Sequence, residues 1–185
     1  MACMDMTREE FNRLLQGTKT AKYRLIWRIL AGTGLRSDEL LTLKVKDINL
    51  EKRIIILDKN NTKNGKSRTV LIPKSLIDDI SGLVKDLQHE EYIFKGQTIK
   101  DGHIQPMTTR ALRKAFYLAC DNAGLSGLSP HALRHFHATQ SLMAGIDLNS
   151  LRLNLGHASL RTTQIYLSNN LQVRREALDR SGFKV

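Results

Sequence analysis

Six polar side chains in this 185-residue sequence occur in an order that could support chemistry on a phosphodiester. In chain order they are Arg36, Lys63, His131, Arg134, His157 and Tyr166. Tyrosine is a weak nucleophile while it keeps its proton, since its ordinary pKa is about 10, but an imidazole base and nearby guanidinium charges can activate it. Two arginines can hold the non-bridging oxygens of a phosphate, and a lysine can protonate the leaving 5′-oxygen. The set therefore predicts attack by a tyrosine on a phosphodiester, with no cofactor and no metal.

The first two residues lie at predicted turns. Arg36 is found where one helix ends at Gly34 and the next begins at Ser37, so its guanidinium could bind an anion beside free backbone donors. Lys63 is at the tip of a predicted hairpin, from which a lysine can enter a groove as a charge or proton donor. Each also has an ordinary interpretation, an exposed arginine near a helix start and a solvated lysine in a turn.

His131 and Arg134 are three residues apart, so they share a face of the helix that Ser129-Pro130 begins. They lie in its first turn, where the helix dipole and free N–H groups favour a phosphate. Alternatively, His131 and His135 could share a zinc ion, but no glutamate lies between them as in the HExxH pattern. We interpret His135 and His137 as packing or surface residues.

A Gly156-His157 pair precedes Tyr166 by nine residues. Taken alone, Tyr166 would be interpreted as a half-buried aromatic residue. Tyr23, Tyr92 and Tyr117 lack a comparable setting of histidine and arginine in the sequence, which leaves Tyr166 as the candidate nucleophile.

The charge of the chain favours a polyanionic partner. Lys and Arg number 29 against 18 Asp and Glu, a formal net charge of +11. Residues 106–185 hold 10 basic and 4 acidic side chains, so they contribute most of the excess. Candidate DNA-binding residues outside the catalytic set are Lys66, Arg68, Arg110, Arg113 and Lys114.

Composition narrows the class of protein. The sequence is 41% hydrophobic, which suits one folded domain with a core, and its two cysteines exclude a disulfide scaffold. Apolar stretches fall far short of the ~20 residues that cross a bilayer, and the amino end is too weakly basic for a signal peptide. We therefore expect a cytoplasmic protein.

The elements that must position the candidate residues are mostly helices. Thr7 and Glu10 form a capping box that starts a helix to about Gln16. Further helices are predicted at 20–31, 75–87 and 108–122, and after Ser37, Pro130, Asp147, Ser159 and Asn170. β-branched runs at 53–57 and 69–72 predict an antiparallel hairpin, with 92–94 as a third strand. The expected fold class is α+β, mostly α-helical, with a small antiparallel β-sheet.

Together these motifs resemble the catalytic domain of the tyrosine recombinases, the phage integrase family. The similarity extends over about residues 7–166. It rests on the segments Thr33-Gly34-Leu35-Arg36-Ser37-Asp38-Glu39-Leu40, Ser129-Pro130-His131-Ala132-Leu133-Arg134-His135, Leu155-Gly156-His157 and Thr162-Thr163-Gln164-Ile165-Tyr166, together with Lys63 in a basic hairpin.

The resemblance implies a role for each residue. Arg36 and Arg134 would bind the scissile phosphate, and Glu39 would support Arg36. Lys63 would be the general acid, His131 an acid/base, and His157 a hydrogen-bond partner of the phosphate. Tyr166 would form a 3′-phosphotyrosine. The implied activity is site-specific recombination or integration of double-stranded DNA, by a monomer that assembles into a homo-tetramer on paired sites. The family also implies a protein of the bacterial nucleoid or one encoded by a phage or mobile element.

Two features depart from the family pattern. Members usually carry an amino-terminal core-binding domain, whereas only residues 1–6, interpreted as a cloning scar or linker, precede the first helix here. We therefore expect 7–185 to be the catalytic domain, with 170–185 as a tail helix and the core-binding domain absent. Asn154 also interrupts a run before His157 that is commonly apolar. Alternative functions are DNA relaxation of the type IB topoisomerase kind and a non-catalytic DNA-binding regulator.

Overall fold

Seven α-helices and two small antiparallel sheets make up the part of the chain described by the structure, a computed structural model. The described residues are 6–59, 62, 65–157, 163, 175 and 179. Lys63 and Tyr166 lie outside this set, as do the residues predicted to begin helices at Ser159 and Asn170.

The predicted helices before residue 156 are confirmed. They are α1 (Arg8–Gly17), α2 (Ala21–Thr33), α3 (Ser37–Leu41), α4 (Ile77–Val84), α5 (Thr109–Asn122), α6 (His131–Met143) and α7 (Leu148–Leu155). Their caps follow the sequence signals: the Glu10 amide donates to Thr7 Oγ1 at 3.1 Å, and the Thr7 amide donates to Glu10 Oε2 at 2.7 Å. Asp147 caps α7 by accepting from the Asn149 and Ser150 amides, both at 3.0 Å.

The predicted hairpin is confirmed as β2 (Ile54–Leu57) paired with β3 (Arg68–Leu71), in a register that sets Ile54 opposite Leu71. The third strand of this sheet is β1 (Ile48–Asn49), which pairs with β2 and leaves β3 at the other edge.

The prediction of a strand at 92–94 is wrong. Tyr92 forms a single bridge to Lys44, and the next strands, β4 (Lys95–Lys100) and β5 (His103–Pro106), pair with each other in a separate sheet. The residues of β4 lack apolar alternation because most of them are exposed on both faces, so the period-2 signal is absent. The Asp101-Gly102 turn between the two strands is the local signal that could have revealed this hairpin.

The core lies between α2, α5 and α6. Ile26, Trp27 and Leu30, the predicted buried face of α2, are fully buried, and the Trp27 ring meets Phe116 of α5 edge-on at 5.3 Å between centroids. Met6, which the sequence analysis assigned to the leading segment, is also buried in this core. Among the described helices, none has both the length and the apolar character needed to cross a bilayer.

Helices α1 and α5 approach closely at Gly17, the last residue of α1. A Cβ atom at this position would lie 2.5 Å from the Ala119 carbonyl oxygen and 3.0 Å from Ala123 Cβ. The Gly17 carbonyl also accepts from Asn122 Nδ2 at 2.9 Å. Because Gly17 has no side chain, the end of α1 can lie against the end of α5, and the Gly17 carbonyl can accept the hydrogen bond from Asn122.

We expect Gly17→Ala to lower the free energy of unfolding by about 1–3 kcal/mol, since the added methyl must displace the α5 backbone. The matched control is Gly82→Ala in α4, where nothing lies within 4 Å of the added Cβ. That change should raise the free energy of unfolding by about 0.5–1 kcal/mol, because alanine is the better helix former. Urea unfolding of both variants tests the contrast, and equal effects would contradict the close approach.

Candidate active site

Arg36 is positioned by a sharp reversal between α2 and α3. Gly34 ends α2 in the left-handed region, with φ of 69°, and a Cβ there would lie 2.5 Å from His137 Cδ2. Glycine is needed here for both the backbone angle and the space. The chain then turns at once, so Arg36 becomes the residue that precedes the first turn of α3.

Arg134 lies in the first turns of α6 and is 2% exposed. Its Nη1 donates to the Gly34 carbonyl and its Nη2 to the Leu155 carbonyl. Both carbonyls belong to helix carboxyl ends, where backbone acceptors lack partners within the helix and where positive charge is favourable. The buried guanidinium therefore joins the end of α2 to the end of α7.

Three of the six predicted catalytic residues line one open cleft of about 420 Å³: Arg36, His131 and Arg134. The opposite wall comes from α5, through Thr109, Arg113 and Tyr117. A different groove of about 770 Å³, beside Leu71 and Ile146, is lined by none of the predicted catalytic residues that the structure describes.

The interpretation that Tyr117 lacks an arginine and histidine setting is wrong. Residues 109, 113 and 117 recur at four-residue spacing, so they share one face of α5, and α5 packs against α3. This packing brings Tyr117 to the cleft of Arg36 and His131, although these residues are far from it in the sequence. The spacing was visible in the sequence, but the partner of that helix face was not.

His131 lines the cleft and is exposed. Partial desolvation first, and then the charges of His135, Arg134 and Arg36, lower the pKa of His131 to about 4. Its ring meets that of His135 edge-on, with 4.7 Å between centroids. At neutral pH the His131 imidazole is therefore uncharged and able to accept a proton.

His157 follows α7 directly and is half-buried. Its Nδ1 lies 3.0 Å from Oγ1 of Thr163, a fully buried residue. Desolvation lowers the pKa of His157 to about 4, with further contributions from the charges of Arg134, Arg36 and Arg68. Two residues before His157, the Leu155 carbonyl binds Arg134, so the segment that carries His157 is attached to an arginine that lines the cleft.

The buried carboxylate of Glu39 organises the positive charge around this site. Arg68 donates to both Glu39 oxygens, from Nη1 to Oε1 at 2.8 Å and from Nη2 to Oε2 at 2.7 Å. Arg36 binds the same carboxylate twice, through its amide at 2.8 Å and through Nη1 at 3.0 Å. Burial acts to raise the pKa of Glu39, but the hydrogen bonds and charges of Arg68 and Arg36 outweigh it and hold the pKa below its ordinary range. This geometry supports the role for Glu39 that the resemblance implies.

The structure places Arg68 inside the site rather than on the outer surface. Its side chain is 11% exposed, its guanidinium pairs with Glu39, and its Nε donates to the Asn154 carbonyl at 3.2 Å. A Cβ on Gly156 would lie 2.6 Å from Arg68 Cδ, so the arginine packs directly over the turn before His157. Sequence reasoning proposed Arg68 as a DNA-binding residue and missed its pairing with Glu39, because this partner is 29 residues away and no local pattern connects the two. The other candidate DNA-binding residues are exposed: Lys66, Arg110, Arg113 and Lys114.

This combination of a helical domain, a small antiparallel sheet and an arginine–histidine cleft defines the tyrosine recombinase class of catalytic domain. Residues 5–172 match the profile of the phage integrase family, and the chain belongs to that family. The tyrosine recombinase XerA of Pyrococcus furiosus is 36% identical over 181 residues, which cover 96% of this chain and 61% of that protein. The chain thus spans about 60% of the length of such relatives.

Solved structures agree with the sequence comparison. A crystal structure of XerA recombinase superimposes with a TM-score of 0.80 at 26% identity, covering 100% of this chain and 68% of that one. The XerH site-specific recombinase, in a post-cleavage complex with palindromic difH substrate, gives a TM-score of 0.73 at 28% identity and covers 96% of this chain and 53% of that one.

We expect Arg68→Ala to lower the free energy of unfolding by about 3–5 kcal/mol, because it leaves the buried Glu39 carboxylate without its bidentate partner. Lys66→Ala, on the exposed segment two residues earlier, is the matched control and should change stability by less than about 0.5 kcal/mol. Urea unfolding at neutral pH measures both. A similar small effect for the two variants would show that the pair contributes little.

Stability should fall as pH drops from about 6.5 to 4, where three histidines protonate more readily in the unfolded chain than in the fold. Burial lowers the pKa of His137 to about 4, as it does for His131 and His157. The fold favours the neutral imidazole more than the unfolded chain does. Each histidine therefore contributes its full stabilisation at pH values above 6.5, its pKa in the unfolded chain, and loses it as the pH falls towards about 4, its pKa in the fold. For buried His137 alone the loss between pH 7 and 4.5 is on the order of 2 kcal/mol.

Chemical denaturation at a series of pH values tests this dependence. His137→Gln should flatten the slope between pH 6.5 and 4.5, whereas His103→Gln, on the exposed strand β5, serves as the control for loss of a histidine. If His137→Gln keeps the wild-type dependence of stability on pH, His137 is not the source of that dependence.

Proposed function

We propose that this chain is the catalytic domain of a site-specific DNA recombinase that cuts and rejoins strands through a 3′-phosphotyrosine. The observation that carries the proposal is the convergence of Arg36, His131 and Arg134 on one cleft, with His157 two residues after the Leu155 carbonyl that binds Arg134. Family membership supports the activity, and the motif that contains Tyr166 begins beside Thr163, the partner of His157.

The chemistry follows from the charges of the cleft. The Tyr166 hydroxyl attacks the scissile phosphorus, the bond from Tyr166 to phosphorus forms, and the bond to the 5′-oxygen breaks. A neutral histidine takes the tyrosine proton, and Lys63 supplies a proton to the leaving 5′-oxygen. Arg36 and Arg134 stabilise the negative charge of the five-coordinate transition state. The phosphotyrosine keeps the energy of the phosphodiester, so a second 5′-hydroxyl can rejoin the strand without ATP.

Exposed positive charge supports double-stranded DNA as the substrate. Lys66, Arg110, Arg113 and Lys114 are exposed, and phosphate neutralisation by such residues provides affinity without sequence selection. Strand exchange between two duplexes needs four active sites, so we propose a homo-tetramer on paired DNA sites, formed from free monomers. The proposed setting is cytoplasmic DNA of a host chromosome or a mobile element, and the proposed catalytic domain comprises residues 7–185.

The test is a nicked suicide substrate carrying the ends of the protein's own genetic element, scored for a covalent complex that resists detergent. The wild type should form the adduct, and Tyr166→Phe should abolish it while DNA binding remains. Arg36→Ala should slow adduct formation by about 10²–10³-fold with a smaller effect on affinity, since its guanidinium acts mainly on the transition state.

Tyr117→Phe is the matched control, because it removes the hydroxyl of a tyrosine that the structure shows in the cleft. This variant must still form the adduct. An adduct that survives Tyr166→Phe and disappears with Tyr117→Phe assigns the nucleophile to Tyr117 instead. Relaxation of any supercoiled plasmid would favour the topoisomerase alternative, and binding without any adduct would favour the regulator.

A further inference from the structure

Asn154, in the last turn of α7, uses its whole amide group in contacts with other elements. Its Oδ1 accepts from the Leu71 amide at 3.0 Å. Its Nδ2 donates to the Thr33 carbonyl at 3.1 Å and lies 3.2 Å from His137 Nε2. The three partners belong to β3, to the end of α2 and to α6, so one side chain connects three elements to α7.

The orientation of this amide is determined by its partners. The Leu71 N–H can only donate and the Thr33 carbonyl can only accept, so the oxygen must face Leu71 and the nitrogen Thr33. The second N–H of the amide then faces His137 Nε2, which must act as an acceptor. The other ring nitrogen of His137 agrees, since Nδ1 lies 3.1 Å from the Ala31 carbonyl and must carry the proton. The network therefore selects one tautomer of His137.

The contacts also satisfy backbone groups that the regular elements leave open. Strand β3 is an edge strand, and its Leu71 amide points away from β2 towards α7. The Thr33 carbonyl is in the last turn of α2, where acceptors have no partner within the helix. The backbone of Asn154 adds another link, because its carbonyl accepts from Arg68 Nε at 3.2 Å. An apolar side chain of the same size could fill the space but could make none of the side-chain contacts.

The position of Asn154 in the chain connects these contacts to the proposed reaction. The next residue, Leu155, provides the carbonyl that binds Arg134, and Gly156 and His157 follow immediately. At the other end of the network, Thr33 and Gly34 lead directly into Arg36. The amide thus lies where the segments that carry both arginines and His157 meet.

We propose that Asn154 is a positioning residue for phosphodiester cleavage, which holds the His157 turn at a fixed place relative to β3 and to the Arg36 reversal. This inference rests on the proposed function for its catalytic consequence. Its structural part, the orientation of His157 and the tautomer of His137, is independent of any activity.

The experiment compares the wild type with Asn154→Leu, which keeps the number and branching of the side-chain heavy atoms and removes the polar contacts. The matched control is Leu153→Asn, the reverse exchange at the neighbouring position of α7, where the side chain is exposed. Two quantities are measured on the suicide substrate: the rate of adduct formation at saturating DNA and the DNA concentration that gives half of that rate. Isotope-labelled histidine provides the imidazole nitrogen signals of His137 and His157 by NMR spectroscopy.

For Asn154→Leu we expect an adduct rate about 10–100-fold lower, as for a small displacement of reacting groups, with the half-saturating DNA concentration unchanged. The His157 ring signals should shift, whereas Leu153→Asn should match the wild type in every measurement. A wild-type rate in Asn154→Leu overturns the inference, and so does a parallel loss of DNA affinity, which would assign Asn154 to binding or to general stability.

Two further outcomes keep the inference testable. When Asn154→Leu does not fold, the tautomer of His137 in the wild type decides: a proton on Nδ1 supports the network and a proton on Nε2 overturns it. When the wild type forms no adduct, the proposed function fails. Asn154 is then judged on the His157 signals alone, and identical signals in wild type and Asn154→Leu overturn its positioning role.

Discussion

The buried carboxylate of Glu39 is the interaction on which the rest of the site depends. Arg36 and Arg68 both bind it, and Arg134 lies close enough to the same site to lower the pKa of both His131 and His157. Guanidinium groups repel one another, and removing them from water is costly. A carboxylate that is itself 1% exposed offsets part of that cost and fixes two of these cations in position before any phosphate arrives.

Helix ends provide the rest of the scaffold. The carboxyl ends of α2 and α7 leave carbonyls that need donors, and Arg134, Arg68 and Asn154 supply them. Because these donors come from α6, β3 and α7, the contacts that complete the helices also join them into one body. Gly34 and Gly156 allow the close approach, since a side chain at either position would collide with His137 or Arg68. Partial burial first, and then the charges of Arg134 and Arg36, lower the pKa of His131 and His157 to about 4, so both imidazoles are neutral near pH 7.

Sequence reasoning succeeded where the controlling interactions are local. Caps at Thr7 and Asp147, the hydrophobic face of α2 and the β-branched runs that form β2 and β3 all depend on residues within a few positions of one another. It failed for the β4–β5 hairpin, whose exposed residues carry no alternation, and for Tyr117, whose neighbours are set by the packing of α5 on α3. Arg68 was predicted as a DNA-binding residue, and its pairing with Glu39 was missed because the two are distant in the chain.

The sequence by itself determined the family, the fold class and the candidate catalytic set, because these follow from residue types at short spacing and from hydrophobic periodicity. Only the tertiary structure decided which positively charged side chains converge and which carboxylate neutralises part of their charge. It brought Arg36, His131 and Arg134 to one cleft, turned Arg68 inward to Glu39, and gave Asn154 three partners in three elements. The physical reason is that hydrogen bonds and ion pairs act over a few ångströms in space, whatever the distance along the chain.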